Sequence, residues 1–363
     1  MDKKKKQPFS VKSFFTTIWR TIKRFVTAPM FKTVVRRFII LIPQLIGLSL
    51  LVFLLASIMP GDALRGLVDP TTSPDMIAHL REIHGLNDPW YVQYWRWVRD
   101  IIVHQDFGRS IANNSIPVID VIGSRIQNTV RLSLLTTFFT YLFAIPLGIL
   151  AGRKNGKAVD KGIMIYTFIA LSMPTVVLSV INLLLWGFGL QFEVAGYVVS
   201  TGIFPDSGSI DVIAAGAGGF TAFVSRIHHL ILPALTLAFL STVGIIYYLR
   251  SEIIDYESSD FVLTARAKGV PENKIYTGHI LRNAFLPVAS GMGGIITGLF
   301  AGSIFVESVF SYPGMGGLFI GSIRSLDFPV VNALIMFFAV MSAISMLVSD
   351  IIISAIDPRI RIK

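Results

Sequence analysis

The sequence predicts an all-α integral membrane protein with six transmembrane helices, an amphipathic N-terminal extension and an external helical insertion. Three observations carry this reading. Hydrophobic residues make up 53% of the 363 positions, only 15% are charged, and the mean hydropathy is +0.66, far from the balance of soluble domains. Six apolar stretches, 38–59, 129–151, 163–190, 230–249, 284–306 and 331–353, are each long enough to cross a hydrocarbon core of ~30 Å at ~1.5 Å rise per residue. With both termini cytoplasmic, segments 1–37, 152–162, 250–283 and 354–363 hold 23 Lys or Arg, whereas the external segments 60–128, 191–229 and 307–330 hold 8. That asymmetry is what orients a chain in a bilayer.

The same placement explains the net charge of +10 without nucleic acid, because the basic residues sit at the ends of apolar segments and not along one face. The chain has no cysteine, which excludes a disulfide framework, a thiolate metal site and a cysteine nucleophile.

Along residues 1–37, Phe14, Phe15, Ile18, Trp19, Ile22, Phe25 and Val26 recur at helical spacing among eleven Lys or Arg. The pattern fits a helix lying in the cytoplasmic interface against anionic lipid, or else a basic tail without fixed structure. A signal peptide does not fit, since the first long apolar run begins only at Phe38 and no small-residue cleavage site follows it. The transmembrane domain is 38–353, and 354–363 forms a cytoplasmic tail.

The external insertion 60–128 predicts two amphipathic helices. One lies near 74–84, opened by Ser73-Pro74-Asp75; the other lies near 89–104 and bears Trp90, Tyr91, Tyr94, Trp95 and Trp97. An aromatic belt at the outer interface and a platform for a soluble partner both fit the second. The 191–229 loop is glycine-rich, reads as flexible and supports no inference about chemistry.

The spans are almost free of charge. Arg131 and Asp350 lie near segment ends, and the middles offer Ser, Thr, Gln44 and Asn182. Carriers driven by protons or sodium need ionisable groups near the midplane, so the energy must come from outside the membrane. The chain has no GxxxxGK[ST] to cradle phosphates; a partner ATPase has to supply it. No paired nucleophile and base stand together mid-span, so no catalytic residue is assigned. An intramembrane enzyme and a lone channel are the distant alternatives. Pro43, Pro146, Pro174, Pro233 and Pro287 lie within or at the ends of spans one to five, where each permits a kink. His228 and His229 lack a nearby third ligand in sequence, so no metal is assigned.

The most informative stretch is polar and caught between two spans: RSEIIDYESSDFVLTARAKGVPENKIYTGHILRNAFLP, residues 250–287. Ala265 to Lys268 favour helix, Gly269 can end one in the left-handed conformation, and Pro271 suits the start of the next. The spacing predicts two short helices hinged at Gly269, which makes a compact knob.

FVLTARAKG followed by ILRNAFLPV resembles the cytoplasmic coupling loop of permeases in ATP-binding-cassette (ABC) importers, specifically the B-type subunit of the oligopeptide and dipeptide group. The general importer signature is Glu-Ala-Ala, three residues, Gly, then about a dozen residues to Leu-Pro. Here the triplet is Leu263-Thr264-Ala265 and Leu286-Pro287 lies further on, both as in the peptide version. GLNDPWYVQYWRWV with QDFGRSI, HHLILPALTLA, and FVESVFSYPGMGGLFIGSIRSLDFPVV are similar to the same family, so the resemblance runs from about Arg36 to Pro358.

The resemblance implies a type I importer permease fold in the bacterial plasma membrane. It also implies an assembly with a second, C-type permease, two ATPase subunits that carry ATP and Mg, an external peptide-binding lipoprotein, and membrane lipid. It assigns Asp260, Phe261, Thr264, Ala265, Arg266, Ala267, Lys268, Gly269 and Val270 to contact with the ATPase. Ser290, Gly294, Gly298 and Gly302 repeat every fourth residue in the fifth span and form a flat strip. It packs either against the second permease, lining the passage, or within this subunit. Glu307 fits an external gate or a contact with a peptide's amino terminus, and equally an ion pair with Arg324. Peptides are the cargo the family carries; nickel chelates, carried by related permeases, are the alternative.

Overall fold

The computed structural model describes residues 29–58, 73–83, 87–112, 116–189, 191–194, 197–200, 202–285, 288 and 304–356. The extension up to residue 28, the tail from 357, Pro287 and the strip Ser290, Gly294, Gly298 and Gly302 lie outside the described residues.

The chain runs through α1 (Pro29–Ile58), α2 (Pro74–Ile83), α3 (Trp90–Arg99), α4 (Val118–Arg153), α5 (Ala158–Ser172) and α6 (Thr175–Asn182). A two-stranded antiparallel hairpin follows, β1 (Gln191–Val194) pairing with β2 (Tyr197–Ser200) in the register Gln191 to Ser200. Then come α7 (Val212–Ala217), α8 (Gly219–Glu257), α9 (Asp260–Ala267), α10 (Glu272–Lys274), α11 (Met315–Arg324) and α12 (Phe328–Ile356). α3, α6 and α10 each continue into a wider, π-helical stretch, over Asp100–His104, Leu183–Gly189 and Ile275–Ile280. The hairpin departs from the all-helical expectation: Tyr197-Val198-Val199 is a short β-prone run, too brief to register beside glycines in a sequence reading.

Three of the described helices are long and apolar enough to cross a membrane, Val118–Arg153, Gly219–Glu257 and Phe328–Leu347, and the bent pair α5–α6 makes a fourth. α1 holds a shorter apolar core, Ile39–Leu54. The fifth predicted span, 284–306, is described only at its two ends.

α4 and α8 run far beyond the apolar stretches that announce them. At ~1.5 Å per residue, α4 and α8, with 36 and 39 residues, exceed 50 Å, well over the thickness of a bilayer core. They are also each other's closest neighbours, and the reason is written on one face of α4. Thr136, Thr140, Ala144, Gly148 and Gly152 recur every four residues and are all buried. A Cβ added at Gly148 would come within 2.8 Å of the Leu249 Cβ, and one at Gly152 within 2.8 Å of the Ile253 Cβ. Small residues at this spacing let two backbones approach where no water is available to drive them together.

The third span is not one helix. α5 ends at Met173, held extended (φ −90°, ψ 120°) ahead of Pro174, because a proline ring disfavours helical geometry in the preceding residue. α6 leaves at 102° to α5. Pro43, Pro146 and Pro233 lie inside continuous helices; Pro174 breaks one.

Candidate functional site

The polar stretch between the fourth and fifth spans folds into the expected knob. α9 opens at Ser259, with Asp260 in its first turn, where a carboxylate meets the positive end of the helix dipole. It closes in a complete Schellman motif: Gly269 N–H donates to Arg266 O at 2.9 Å and Val270 N–H to Ala265 O at 3.1 Å, with Gly269 at φ +74°. The chain then turns through Pro271 into α10. Val262 and Ala265 are buried with Ile253, Ile275 and Ile280, and Val270 packs against them, so the knob is fastened to the end of α8 by an apolar core.

Its outer face is made by Asp260, Leu263, Thr264 and Ala267, one helical stripe, with Lys268 and Gly269 beyond; all are exposed. Phe261, 39% exposed, flanks the stripe, and Leu263 is 52% exposed. The nine residues assigned to coupling therefore divide. Asp260, Phe261, Thr264, Ala267, Lys268 and Gly269 face outward, while Ala265 is buried and Arg266 and Val270 are half-buried. Leu263, absent from that set, is an apolar surface residue at the centre of the stripe. The spacing 260, 263, 264, 267 was the signal that could have found it.

A polar web braces the knob from behind. Arg266 Nε donates to Glu272 at 2.8 Å and its Nη2 reaches Glu257 at 3.4 Å. Tyr276 donates its hydroxyl to Glu257 at 2.6 Å, and Arg153, at the end of α4, donates to Asn273 at 2.9 Å with its guanidinium 4.7 Å from the Tyr276 ring centroid. Burial, reinforced by the Glu257 carboxylate, pushes the Tyr276 phenol up to about 12, so it remains a donor at neutral pH.

At the opposite end of the bundle two buried carboxylates do a similar job. Glu307, 1% exposed, accepts from the Thr129 hydroxyl at 3.2 Å and from Gly317 N–H at 2.9 Å; Thr129 in turn accepts from Met315 N–H at 2.8 Å. Both bonds turn the carboxylate inward, toward α4 and the start of α11. A Cβ on Gly314 would run into the Glu307 carboxylate, which is why glycine is needed there. Asp327, fully buried, accepts from the Ser110 hydroxyl and from the N–H groups of Ile111 and Ala112 at 3.1 and 3.2 Å. Sequence reading passed over Asp327, since nothing near it in sequence reveals a partner 217 residues away.

The aromatic helix α3 lies against α1: Tyr94 and Ser49 share a hydrogen bond of 2.9 Å, and Phe53 meets Tyr94 edge-on at 5.5 Å. Tyr91 and Trp95 remain exposed. His228 Nε2 and His229 Nδ1 face the carbonyls of Ile203 and Ser225 at 2.7 and 2.8 Å, each ring nitrogen donating. Among the described residues no three His, Asp or Glu are grouped to hold a metal ion.

A bundle of apolar helices with a polar, hinged projection at one end defines a multi-pass membrane protein. Two family descriptions match the chain. The binding-protein-dependent transport system inner membrane component covers residues 144–362, and the N-terminal component of the same systems covers 30–134. The oligopeptide transport system permease protein AppB of Bacillus subtilis (strain 168) is 37% identical over 327 residues, 90% of this chain and 98% of that protein. The glutathione transport system permease protein GsiC of Escherichia coli (strain K12) is 33% identical over 334 residues, 92% of this chain and 100% of that protein. The solved structure described as inward facing conformations of the MetNI methionine ABC transporter, CY5 native crystal form, is 14% identical. It covers 66% of this chain and 97% of that one, with a TM-score of 0.49. The chain belongs to the family of permeases of binding-protein-dependent ABC importers, a family of the bacterial inner membrane.

Proposed function

We propose that this chain is the B-type permease of an ATP-driven peptide importer, a type I six-span subunit with both termini and the knob on the cytoplasmic side. What carries the substrate class is the 37% identity to an oligopeptide permease along nine-tenths of the chain; the glutathione permease has a small peptide as its named cargo too. A second, C-type permease completes the passage, with Ser290, Gly294, Gly298 and Gly302 of the fifth span packing at or near their interface. Two ATPases carry ATP and Mg, and an external peptide-binding lipoprotein delivers cargo.

In this reading the stripe Asp260, Leu263, Thr264 and Ala267 seats in a cleft of one ATPase. An exposed apolar side chain amid small polar ones suits a docking face that is buried in the assembly. Nucleotide-driven closure of the ATPases then moves the knob, and α8 carries the displacement into the membrane. Glu307 serves the external gate by holding the 304–324 segment onto α4, not by touching peptide.

The test is reconstitution of this chain with its gene neighbours in vesicles. ATP hydrolysis is measured with the binding protein empty, or loaded with tri-alanine, glutathione or a nickel–histidine chelate. Stimulation by the peptides and not by the chelate is the expected result; stimulation by the chelate alone overturns the cargo assignment.

A further inference from the structure

One buried charge is left unexplained by the knob and by the far-end carboxylates. Asp160, in the first turn of α5, is 2% exposed and 90 residues from the group that answers it. Arg250 of α8 grips it with both arms of its guanidinium: Nε donates to Oδ1 at 2.6 Å and Nη2 to Oδ2 at 2.9 Å. Gly156 N–H adds a third bond to Oδ2 at 2.8 Å, and Nη2 also donates to Asn155 Oδ1 at 2.9 Å. Gly156 sits at φ +76°, which lets the short turn between α4 and α5 fold back over the carboxylate. A forked, multiply bonded pair fixes orientation as well as distance, and removing Arg250 would strand the buried Asp160 carboxylate away from water.

The position matters as much as the geometry. Arg250 lies about one turn before Ile253, which packs on the knob, and two before Glu257, which accepts from Tyr276. Displacement of the knob therefore reaches Arg250 along α8 within about two helical turns. Beyond Asp160, α5 runs as one helix to Met173, where the third span breaks and bends by 102°. α5 also meets α8 at Tyr166, whose hydroxyl lies 3.0 Å from Phe239 O and 2.7 Å from the Thr242 hydroxyl; the fork adds a charged tie at the end nearest the knob, so the two helices move together and the break is the place where motion can be absorbed.

We infer that Asp160 and Arg250 are positioning residues for coupling. They join the inner half of the third span to the knob as one rigid body, with Met173–Pro174 as its pivot. This rests on the coupling role given to the knob above. Small shifts become large ones when a packed body turns about a hinge, and a broken helix inside a membrane protein is a natural hinge because its freed backbone groups already have other partners.

The test uses the assembled importer. In Asp160→Asn the complex still copurifies with its ATPases and keeps basal ATP hydrolysis, but stimulation by binding protein loaded with tri-alanine falls about tenfold, the size of an ordinary coupling between sites. Arg250→Lys, which keeps the charge and loses the fork, falls part of the way. The reversed pair Asp160→Arg with Arg250→Asp recovers stimulation. A role in stability alone would lower the yield of complex and leave stimulation per complex unchanged. Should Asp160→Asn not assemble, spin labels on Lys161→Cys and Lys268→Cys, in a chain otherwise free of cysteine, decide the matter. Their distance stays the same with and without ATP while the distance from Lys268→Cys to Ser207→Cys changes. Normal stimulation in Asp160→Asn, or a distance between Lys161 and Lys268 that changes on ATP binding, overturns the inference and leaves the knob's role intact. A wild-type complex whose hydrolysis ignores loaded binding protein overturns both.

Discussion

At Gly269 the backbone, not the space around it, sets what is tolerated. Its φ is +74° and a Cβ there would meet nothing within 4 Å, so a larger residue is penalised only by the left-handed conformation, about 1–2 kcal/mol for an ordinary L-residue. Asn adopts that conformation readily. Gly269→Val should uncouple ATP hydrolysis from uptake while the chain still inserts, and Gly269→Asn should leave uptake near normal; equal damage from both would place the defect in contact with the ATPase instead of in the turn. Gly314 is the opposite case. Its φ is −103°, so the obstacle to Gly314→Ala is the Glu307 carboxylate, and relief of that crowding costs about 1–3 kcal/mol. The thermal midpoint of the purified complex should fall accordingly, and in a Glu307→Ala background, which already lacks the bonds to Thr129 and Gly317, adding Gly314→Ala should lower it little further.

At the level of elements, what a stretch spells locally is legible in the sequence and what it packs against is not. The knob was legible because capping and turn chemistry are local: Ala265 to Pro271 spell a helix end, a left-handed residue and a new start within seven positions. The ladder on α4 was equally present in the sequence, but Thr136, Thr140 and Ala144 are not glycines. The strip Ser290, Gly294, Gly298 and Gly302 is purer in glycine and so more conspicuous. Pro174 was one proline among five until the fold distinguished it, since a proline's effect depends on whether neighbouring turns can absorb it. The ladder makes a prediction of its own. Gly148→Val pushes against Leu249 and, at 3.4 Å, the Ile246 backbone; it should destabilise the complex by about 1–3 kcal/mol. Gly244, inside α8 with nothing within 4 Å, is the control: Gly244→Ala should be neutral or stabilise by up to ~1 kcal/mol. Thermal unfolding of the two variants side by side decides whether close approach of α4 and α8 is what the small residues are for.

For the whole molecule, the two ends of the α4–α8 pair are built alike and serve opposite compartments. Each end carries a buried carboxylate that draws distant segments together: Asp160 at one, Glu307 and Asp327 at the other. Between them the described bundle buries hydroxyls and small residues but places Arg250 only at its margin. In the proposed function, spans this poor in mid-span charge take their drive from the ATPases, so the end that meets them sets the direction of transport. In the topology proposed above, which follows the basic bias of the sequence, the knob end lies in the cytoplasm. Because the chain has no cysteine, this can be read directly with single substitutions at two exposed sites, Lys268→Cys on the knob and Ser207→Cys at the other end. In intact cells a membrane-impermeant maleimide should label residue 207 and not residue 268. In inverted vesicles the preference should reverse, with residue 268 protected again once the ATPases are bound. Labelling of residue 268 from outside intact cells would place the handle in the wrong compartment, and no arrangement of partners could then make this chain an importer of the kind proposed.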